Sequence, residues 1–384
     1  MNFEITEEQA MIRDTIKDFA EKEVAPASRD NNRDERFPSD VINKLGEMGV
    51  LGLNLPSEYG GGGADYISYC IMLEEIGRVD LGVAVTVSAH LSLGGKTVLQ
   101  WGSEEQKQKY LPRLASGKML ACLATTEPDV GSDVSSIETS AVLQGDEWVL
   151  NGTKMWISNG GVANIAIIIA QTDKSLGSKG LTAFIVERDT EGFSSRDLHN
   201  KLGIRSSNTA ELILEDCRVP QGNVLGPVGK GMSVALSAFD SARLGVAART
   251  VGVAQACIDA SVSYAQTRKQ FGKLIGSFQL IQELIAEMTV ETEAARLLVY
   301  RAAAIKDKGD PATIETSMAK YYSSEIALKA ANNAIQIHGS YGYSDEYPVE
   351  RYFRDVRVSS ILEGTSQIHK LIIGRAMTGI SAFA

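Results

Sequence analysis

The chain has 384 residues, with 38 lysines and arginines against 48 aspartates and glutamates, so its formal net charge is −10. This length allows two or three domains with a sizeable shared core. The acidic balance argues against a general nucleic-acid binder, because no basic field would gather phosphates. The start, from Met1 to Glu8, has neither a basic region nor an apolar segment, and no stretch approaches a membrane span. A soluble, cytoplasmic protein is therefore expected.

The cysteines and histidines predict no metal or disulfide chemistry. The four cysteines are widely separated and form no CxxC pair, which favours buried free thiols over a disulfide framework or a zinc site. The four histidines are scattered, so no metal site is indicated. The cysteines are Cys70, Cys122, Cys217 and Cys257.

The first third of the chain is predicted to be helical. Thr6 and Gln9 have the spacing of a capping box, and apolar residues then recur at helical intervals as far as Pro26. Helical patterns also cover residues 39–48 and 64–78, and a second capping box at Ser103 begins another helix. We assign residues 1–120 to an N-terminal helical domain.

The middle of the chain has the pattern of a small antiparallel β domain, residues 121–227. Short runs rich in β-branched residues alternate here with turn signals such as Asn151-Gly152. The predicted strands lie at 141–143, 148–150, 165–170, 181–186 and 210–214.

Residues 228–384 are predicted to form a C-terminal four-helix bundle. One apolar stripe runs from Ile281 to Ile305 and stops at Gly309. Asp310 and Pro311 are expected to be the cap and the first residue of the next helix. The fold class is thus α+β, mainly α, with helical domains on either side of the β domain.

Four segments carry the chemistry of the chain. They are 122–133 (CLATTEPDVGSD), 154–160 (KMWISNG), 268–273 (RKQFGK) and 361–368 (ILEGTSQI). In the last of them Glu363 stands just ahead of a predicted helix, where a carboxylate can act as a base or simply favour the helix dipole. In order and separation the four segments resemble the acyl-CoA dehydrogenase family, and the resemblance runs from about Phe3 to Gly379.

This resemblance implies removal of hydrogens from the α and β carbons of an acyl-CoA, as in fatty-acid β-oxidation. Protein side chains cannot accept a hydride, so a redox cofactor is required. No GxGxxG lies between a strand and a helix, which argues against a nicotinamide site. The family instead holds FAD between the β domain and the C-terminal bundle, and passes electrons to an electron-transferring flavoprotein.

By the same resemblance, two groups of residues bind FAD. Hydroxyls can hydrogen-bond the flavin ring and an indole can cover its face, although turn hydroxyls and a core tryptophan would look alike in sequence. The residues expected at the flavin and ribityl chain are Leu123, Thr125, Thr126, Gly131, Ser132, Trp156, Ile157, Ser158, Thr365 and Gln367.

The second group would reach the FAD of a neighbouring subunit. Arg268 is expected at the pyrophosphate, which suits a planar guanidinium, and Phe271 at the adenosine. Gln279, Gln336 and Gly339 complete the group. The alternatives are a solvated helix-end charge for Arg268 and a polar bundle edge for Gln336. A homotetramer, built as a dimer of dimers, is implied.

Glu363 is the catalytic base that the resemblance implies. A helix N-terminus favours its anion while burial beside an acyl chain disfavours it, and the sequence leaves that balance open. A minority of the family places the glutamate at the position of Ala242, which cannot act as a base. Asp240 and Arg243 match residues that contact the CoA pantetheine, or else form an (i, i+3) ion pair.

The acyl group is less well defined by the sequence. Straight-chain members generally have an aromatic residue before the catalytic glutamate, where this chain has Leu362, so a branched or alicyclic group is an alternative to a short or medium chain. Glutaryl-specific members carry an arginine near the position of Gly82, which disfavours a dicarboxylate. The other substrate contacts implied are Ser88, Leu91, Ser132 and Gly364, with His90 nearby as an ordinary helix histidine.

Other functions remain open from the sequence. A flavin oxidase or monooxygenase on the same fold would differ in the reaction of its reduced flavin with oxygen. A flavin-bearing DNA-binding protein would need a basic face, which the acidic balance opposes. A catalytically silent helical scaffold would be colourless when purified.

Overall fold

The computed structural model describes residues 4–382, so the ends of the predicted outer domains, residues 1–3 and 383–384, lie outside the described part. The N-terminal region is helical, as predicted. Both capping boxes are present, with Thr6 accepting from the Gln9 N–H and Ser103 from the Gln106 N–H. The helices are α1 (Glu7–Phe19), α2 (Ala25–Arg33), α3 (Ser39–Glu47), α4 (Tyr66–Val79), α5 (Leu81–Ser88), α6 (Lys96–Trp101) and α7 (Glu104–Ala115).

Two π-helical turns interrupt these helices. Ala20–Val24 joins α1 to α2, and Ala89–Gly95 joins α5 to α6. A π turn inserts an extra residue into the helical ladder and is frequent at functional sites. The second π turn follows Ser88 directly. The side chains after Ser88 therefore point in directions different from those that a continuous α-helix would give them.

The middle of the chain is an eight-stranded sheet in the order β6-β7-β3-β2-β4-β5-β8, with β1 also paired to β4. It is antiparallel as predicted, except that β1 pairs with β4 in parallel and β2 meets β4 in parallel at Ser140 and Gln171. The strands are β1 (Ala121–Ala124), β2 (Ser140–Gln144), β3 (Glu147–Ser158), β4 (Ile165–Gln171), β5 (Leu181–Glu187), β6 (Phe193–Asp197), β7 (Thr209–Pro220) and β8 (Val224–Leu225).

The last part of the chain is the predicted bundle. A two-stranded ribbon, β9 (Lys269–Gln270) and β10 (Lys273–Leu274), stands between its first two helices. The prediction for Asp310 and Pro311 is wrong, because the helix begins at Thr313 and Ala312 takes the N-cap position. The helices are α8 (Gly231–Thr267), α9 (Gln279–Asp307), α10 (Thr313–His338), α11 (Val349–Val356) and α12 (Ser366–Thr378).

Three apolar clusters hold these parts together. The largest is shared by the N-terminal helices and the bundle, so the two helical regions bury one continuous core. A second joins N-terminal helices, the sheet and the start of α8, and a third lies within the sheet. All four cysteines are buried and free, as predicted.

Two features of the described residues bear on function. No helix within residues 4–382 is both long and apolar enough to cross a membrane. Over the same residues, no group of histidine, cysteine and acidic side chains is arranged to hold a metal ion.

Candidate active site

Glu363 lies in the turn between α11 and α12. Its φ is 54° and that of Gly364 is 99°, so two successive residues have positive φ and the chain reverses sharply. Thr365 then caps α12 by accepting a hydrogen bond from the Ile368 N–H at 3.2 Å. A glutamate rarely adopts such a φ, and strain of this kind persists where the surroundings hold it.

The Glu363 carboxylate is buried, with 12% of its side chain exposed. Among the described residues its Oε2 has no hydrogen-bond partner. Its Oε1 lies 3.8 Å from Arg249 Nη2, which is an electrostatic contact beyond hydrogen-bonding distance. Burial raises the pKa of Glu363, while Arg249, Lys320 and Arg243 act in the opposite direction. Burial is the largest of these effects, so the net change is a raised pKa.

Arg249 approaches Glu363 from α8 and is 1% exposed. Its Nη1 donates to Ser88 Oγ, while Nε and Nη2 have no partner among the described residues. The sequence reasoning missed this arginine. The signal that could have identified it is one charged residue within an apolar, small-residue stretch, LGVAARTVGVA, in the middle of a long helix.

Lys320 approaches from α10 and fixes the turn. Its Nζ donates to the Gly364 carbonyl at 2.6 Å, and burial lowers its pKa to about 7. On the other side of Gly364, a Cβ at that residue would lie 3.0 Å from Nε2 of His369. Burial lowers the pKa of His369 to about 3, so this imidazole is neutral. Lys320 and His369 were also missed from the sequence.

Asp240 and Arg243 form the (i, i+3) ion pair that the sequence allowed, with Arg243 Nη1 donating to Asp240 Oδ1 at 2.5 Å. The Arg243 Nε remains without a partner among the described residues, so the pair leaves a donor for another ligand. Ala242, between them, is buried. Both interpretations of the pair are thus compatible with the structure.

The expected acyl-pocket residues lie close to this cluster. Ser88 ends α5 beneath Arg249, Leu91 is buried in the π turn, and Leu362 is half-buried beside Glu363. His90 is structural, as expected, because its Nε2 lies 3.1 Å from the carbonyls of Leu51 and Leu114. Burial lowers the pKa of His90 to about 4, which keeps it neutral.

The flavin-side residues lie where β1 and β3 end. The Met155 N–H donates to the Thr126 carbonyl at 2.9 Å, which ties the loop after β1 to β3. The pairing of β3 with β7 shifts between Lys154 and Ile157, and Trp156 has φ 62° within this bulge. Its indole is 62% exposed, so the core-packing alternative for Trp156 is wrong.

Buried groups beneath this loop hold it in place. Lys154 Nζ donates to Glu127 Oε1 at 2.7 Å and to the Thr125 carbonyl at 3.2 Å. Above them Thr126 and Ser158 are half-buried, while Gly131 and Ser132 are exposed. Leu123, Thr125 and Ile157 are buried behind the loop. An exposed indole beside hydroxyls and a rigid backbone fits the aromatic ring system of a flavin.

The second group of expected FAD residues lies at the far end of α8. Arg268 follows this helix, with its guanidinium carbon 5.4 Å from the centre of the Tyr341 ring, and Phe271 is 91% exposed. Arg243 and Thr267 are separated by 24 residues of α8, which is about 36 Å at the helical rise. This group therefore does not adjoin Glu363 of its own chain. Its other members, Gln279, Gln336 and Gly339, are exposed, and so is Gln367 of α12.

Three family models match the chain in succession. They are the N-terminal domain of acyl-CoA dehydrogenase over residues 6–118, its middle domain over 122–217 and its C-terminal domain over 229–378. "Probable acyl-CoA dehydrogenase YngJ" of Bacillus subtilis is 46% identical, with 98% of this chain and 100% of that protein covered. "Acyl-CoA dehydrogenase, short-chain specific" of Clostridium acetobutylicum is 42% identical, with 97% and 98% covered.

Solved structures with a similar fold include acyl-CoA dehydrogenases. Butyryl-CoA dehydrogenase from Megasphaera elsdenii has a TM-score of 0.96 at 40% identity, with 98% of this chain and 100% of that chain covered. A glutaryl-coenzyme A dehydrogenase in complex with glutaryl-CoA has a TM-score of 0.96 at 41% identity, with 99% and 97% covered. A chain from work on the electron transferring flavoprotein of Acidaminococcus fermentans has a TM-score of 0.97 at 42% identity, with 98% and 100% covered.

The chain belongs to the acyl-CoA dehydrogenase family. It is an oxidoreductase that acts on acyl-CoA, and its cofactor is FAD.

Proposed function

We propose that this protein oxidises the bond between the α and β carbons of an acyl-CoA thioester and that Glu363 takes the α proton. The observation that supports this role is the buried carboxylate with one oxygen free of hydrogen bonds and a raised pKa. An α C–H is a weak acid, so its base must have a high proton affinity and must reach the proton directly. A carboxylate already bound by hydrogen bonds would meet neither requirement.

In this reaction the α carbon loses a proton to Glu363 and the β carbon loses a hydride, so the bond between them becomes double. When bound, FAD supplies the two-electron acceptor for that hydride. The chain contributes the placement: Glu363 lies on the turn that Lys320 fixes through Gly364, and the bulge of β3 presents the Trp156 side chain. Thr126 and Ser158 offer hydroxyls beside that indole, where the flavin ring is expected to bind.

Two partners follow from the same proposal. An electron-transferring flavoprotein is the expected electron acceptor, supported by the 42% identity to a chain from work on such a protein. A homotetramer is the assembly that the family resemblance implies, and the position of Arg268, Gln336 and Gly339 near the end of α8, where Tyr264 stacks on His338, supports an assembly of more than one chain. FAD binding by this group therefore calls for a second subunit.

The acyl group is not decided by overall similarity, since the butyryl and glutaryl enzymes are 40% and 41% identical to this chain. Leu362 keeps a branched or alicyclic group as an alternative to a straight chain. Its aliphatic side chain beside Glu363 makes a different pocket wall from an aromatic ring.

Flavin bleaching under anaerobic conditions tests the proposal. The purified protein, reconstituted with FAD, is mixed with straight, branched, alicyclic and dicarboxylic acyl-CoAs while the flavin absorbance is followed. We expect rapid bleaching with at least one of them and slow reoxidation when oxygen is admitted. If the protein binds FAD and no acyl-CoA bleaches it, the proposed reaction is wrong. Fast reoxidation by oxygen would instead identify an oxidase.

A further inference from the structure

We propose that Arg249 is the receptor for a second carboxylate on the acyl group, so that the substrate is the CoA monothioester of a short dicarboxylic acid. The inference rests on the proposed function and specifies its substrate class. The cation in this proposal comes from α8. Gly82, at the start of α5, has no side chain and faces Ser206 and Asp80, whereas Arg249 contacts Ser88 at the other end of α5.

The guanidinium of Arg249 makes fewer hydrogen bonds than a buried charge needs. It is 1% exposed, yet its one hydrogen bond among the described residues is from Nη1 to Ser88 Oγ. Its Nε and Nη2 are both buried and unpartnered. A buried charge is costly unless it is paired and hydrogen-bonded. A guanidinium with a nitrogen pair free on one edge has the geometry that binds both oxygens of a carboxylate.

Glu363 does not fill this need. Its Oε1 stands 3.8 Å from Nη2, outside hydrogen-bonding distance, and its Oε2 is free. A permanent pair with Arg249 would also work against the base, because a neighbouring cation lowers the proton affinity of a carboxylate. A substrate carboxylate would neutralise Arg249 and leave Glu363 free to take the proton.

The charges around the site point the same way. Arg249, Lys320 and Arg243 all act on Glu363, and Asp240 compensates only Arg243. Arg249 has no anion within hydrogen-bonding distance among the described residues, which suits an anionic ligand. A purely apolar acyl chain would bring no charge to this site and would leave the free guanidinium nitrogens without hydrogen bonds.

Further polar groups line the same place. The Tyr69 hydroxyl is buried beside the side chain of Ser92. A Cβ at Gly245 would come within 2.5 Å of that hydroxyl and 3.3 Å of the Ser88 Cβ. Tyr69, Ser88 and Gly245, one turn before Arg249, therefore meet around one spot. A hydroxyl donor and a guanidinium at one place are a receptor for carboxylate oxygens.

The distance to Glu363 limits the length of the acid. The base must touch the α hydrogen, and Arg249 Nη2 is 3.8 Å from that base. A carboxylate two or three bonds beyond the α carbon can reach Arg249, which corresponds to the four-carbon and five-carbon diacids. Succinyl-CoA and glutaryl-CoA are the probes of that length.

The wild-type holoenzyme provides the first test. Anaerobic flavin reduction is measured with succinyl-CoA and glutaryl-CoA, with pentanoyl-CoA, and with 4-carbamoylbutyryl-CoA, which replaces the distal carboxylate of glutaryl-CoA by an uncharged amide. We expect kcat/KM for the better diacid to exceed that for the amide and for pentanoyl-CoA by on the order of 100-fold, the size of effect found when one partner of a buried charge pair is removed. Equal or higher values for the uncharged acyl groups would overturn the proposal.

The second test separates a substrate receptor from a counterion of Glu363. Arg249→Gln should lower the ratio of diacid to pentanoyl kcat/KM by on the order of 100-fold, whatever it does to the pentanoyl rate. A parallel loss with both substrates, leaving the ratio unchanged, would show that Arg249 serves Glu363 alone and would overturn the proposal. Arg78→Gln, which removes a half-exposed ion pair with Asp259, is the matched control and should leave the ratio unchanged.

These experiments distinguish a failure of the Arg249 proposal from a failure of the proposed dehydrogenation. If uncharged acyl-CoAs bleach the flavin and diacids do not, the reaction stands and the receptor is wrong. If no thioester of either kind bleaches it, both are wrong. Should Arg249→Gln fail to fold, the wild-type comparison decides the matter by itself.

Discussion

At the scale of single residues, the site depends on the environment of one glutamate. Glu363 combines a φ of 54°, a buried carboxylate and a free oxygen. Burial raises its pKa, and three cations from two helices keep that increase in check. A base needs this compromise, because it must be ionised before the reaction and must hold the proton afterwards.

Replacing Glu363 by Gln should remove the base and leave binding intact. The amide keeps the size of the side chain, and the expected FAD and pantetheine contacts lie elsewhere. We expect FAD and acyl-CoA to bind, while stopped-flow flavin reduction falls by about 10²–10⁴-fold or more, the range for general-base catalysis. Glu346→Gln, at an exposed position, is the control. Reduction at a near wild-type rate would assign the proton to another group.

The acid side of the pH profile should respond to Lys320. The carboxylate of Glu363 is the active form, so flavin reduction should rise with pH through a pKa above that of an ordinary glutamate. Lys320 lowers that pKa by its charge, which it carries below pH about 7. Lys320→Met should therefore move the acid limb to higher pH. Lys329→Met, on the exposed side of the same helix, should leave it in place; a shift to lower pH in Lys320→Met would contradict the argument.

At the scale of elements, the β3 bulge and the turn after β1 act as one unit. Lys154 links them from below, and Glu127 also accepts from the N–H groups of Glu138 and Thr139. Lys154 is fully buried and Glu127 nearly so. A buried ion pair adds little net stability to the fold, but removing one partner is strongly destabilising. Its effect here is to hold Thr126 and Trp156 in fixed positions.

Lys154→Met should therefore destabilise the fold and loosen the cofactor. Leaving Glu127 buried and unpaired should lower the free energy of unfolding by about 3–5 kcal/mol, measured by denaturant titration, and should reduce the flavin retained on gel filtration. Lys109→Met breaks another Lys–Glu pair, with Glu187, but at a half-exposed site. That control should cost about 1 kcal/mol or less. Equal losses in the two variants would contradict a special role for the buried pair.

At the scale of the whole molecule, α8 is long enough to hold the Glu363 site and the proposed subunit contact far apart. Its first half carries Asp240, Arg243 and Arg249 towards Glu363, and its end delivers Arg268 to an exposed surface. The exposed Phe271 beside that arginine supports a contact with another subunit. Cofactor binding and assembly would then depend on one another.

Arg268→Ala should weaken both FAD retention and the tetramer, because the arginine is proposed to bridge the subunit interface to the pyrophosphate. Gel filtration with light scattering gives the assembly state, and flavin absorbance gives the occupancy. Lys269→Ala, at the adjacent exposed position, controls for loss of one positive charge. A variant that remains a tetramer with full FAD would exclude the shared site.

Local signals in the sequence determined much of this architecture. The capping boxes at Thr6 and Ser103 located helix starts, because those bonds join residues three apart. The helix after Glu363 was predicted from another local signal, the helical spacing of the apolar residues Ile368, Leu371 and Ile372. The prediction at Asp310 and Pro311 was wrong by a few residues, since a cap signal gives no information on how the preceding loop packs.

The tertiary structure decided the electrostatics of the site. Arg249 and Lys320 lie 114 and 43 residues before Glu363 in the sequence, yet both act on its carboxylate. Burial of that carboxylate, and the free guanidinium edge beside it, arise from the packing of α8, α10 and the π turn after Ser88. Desolvation and charge interactions depend on distances in space, so neither spacing nor periodicity along the chain could predict them.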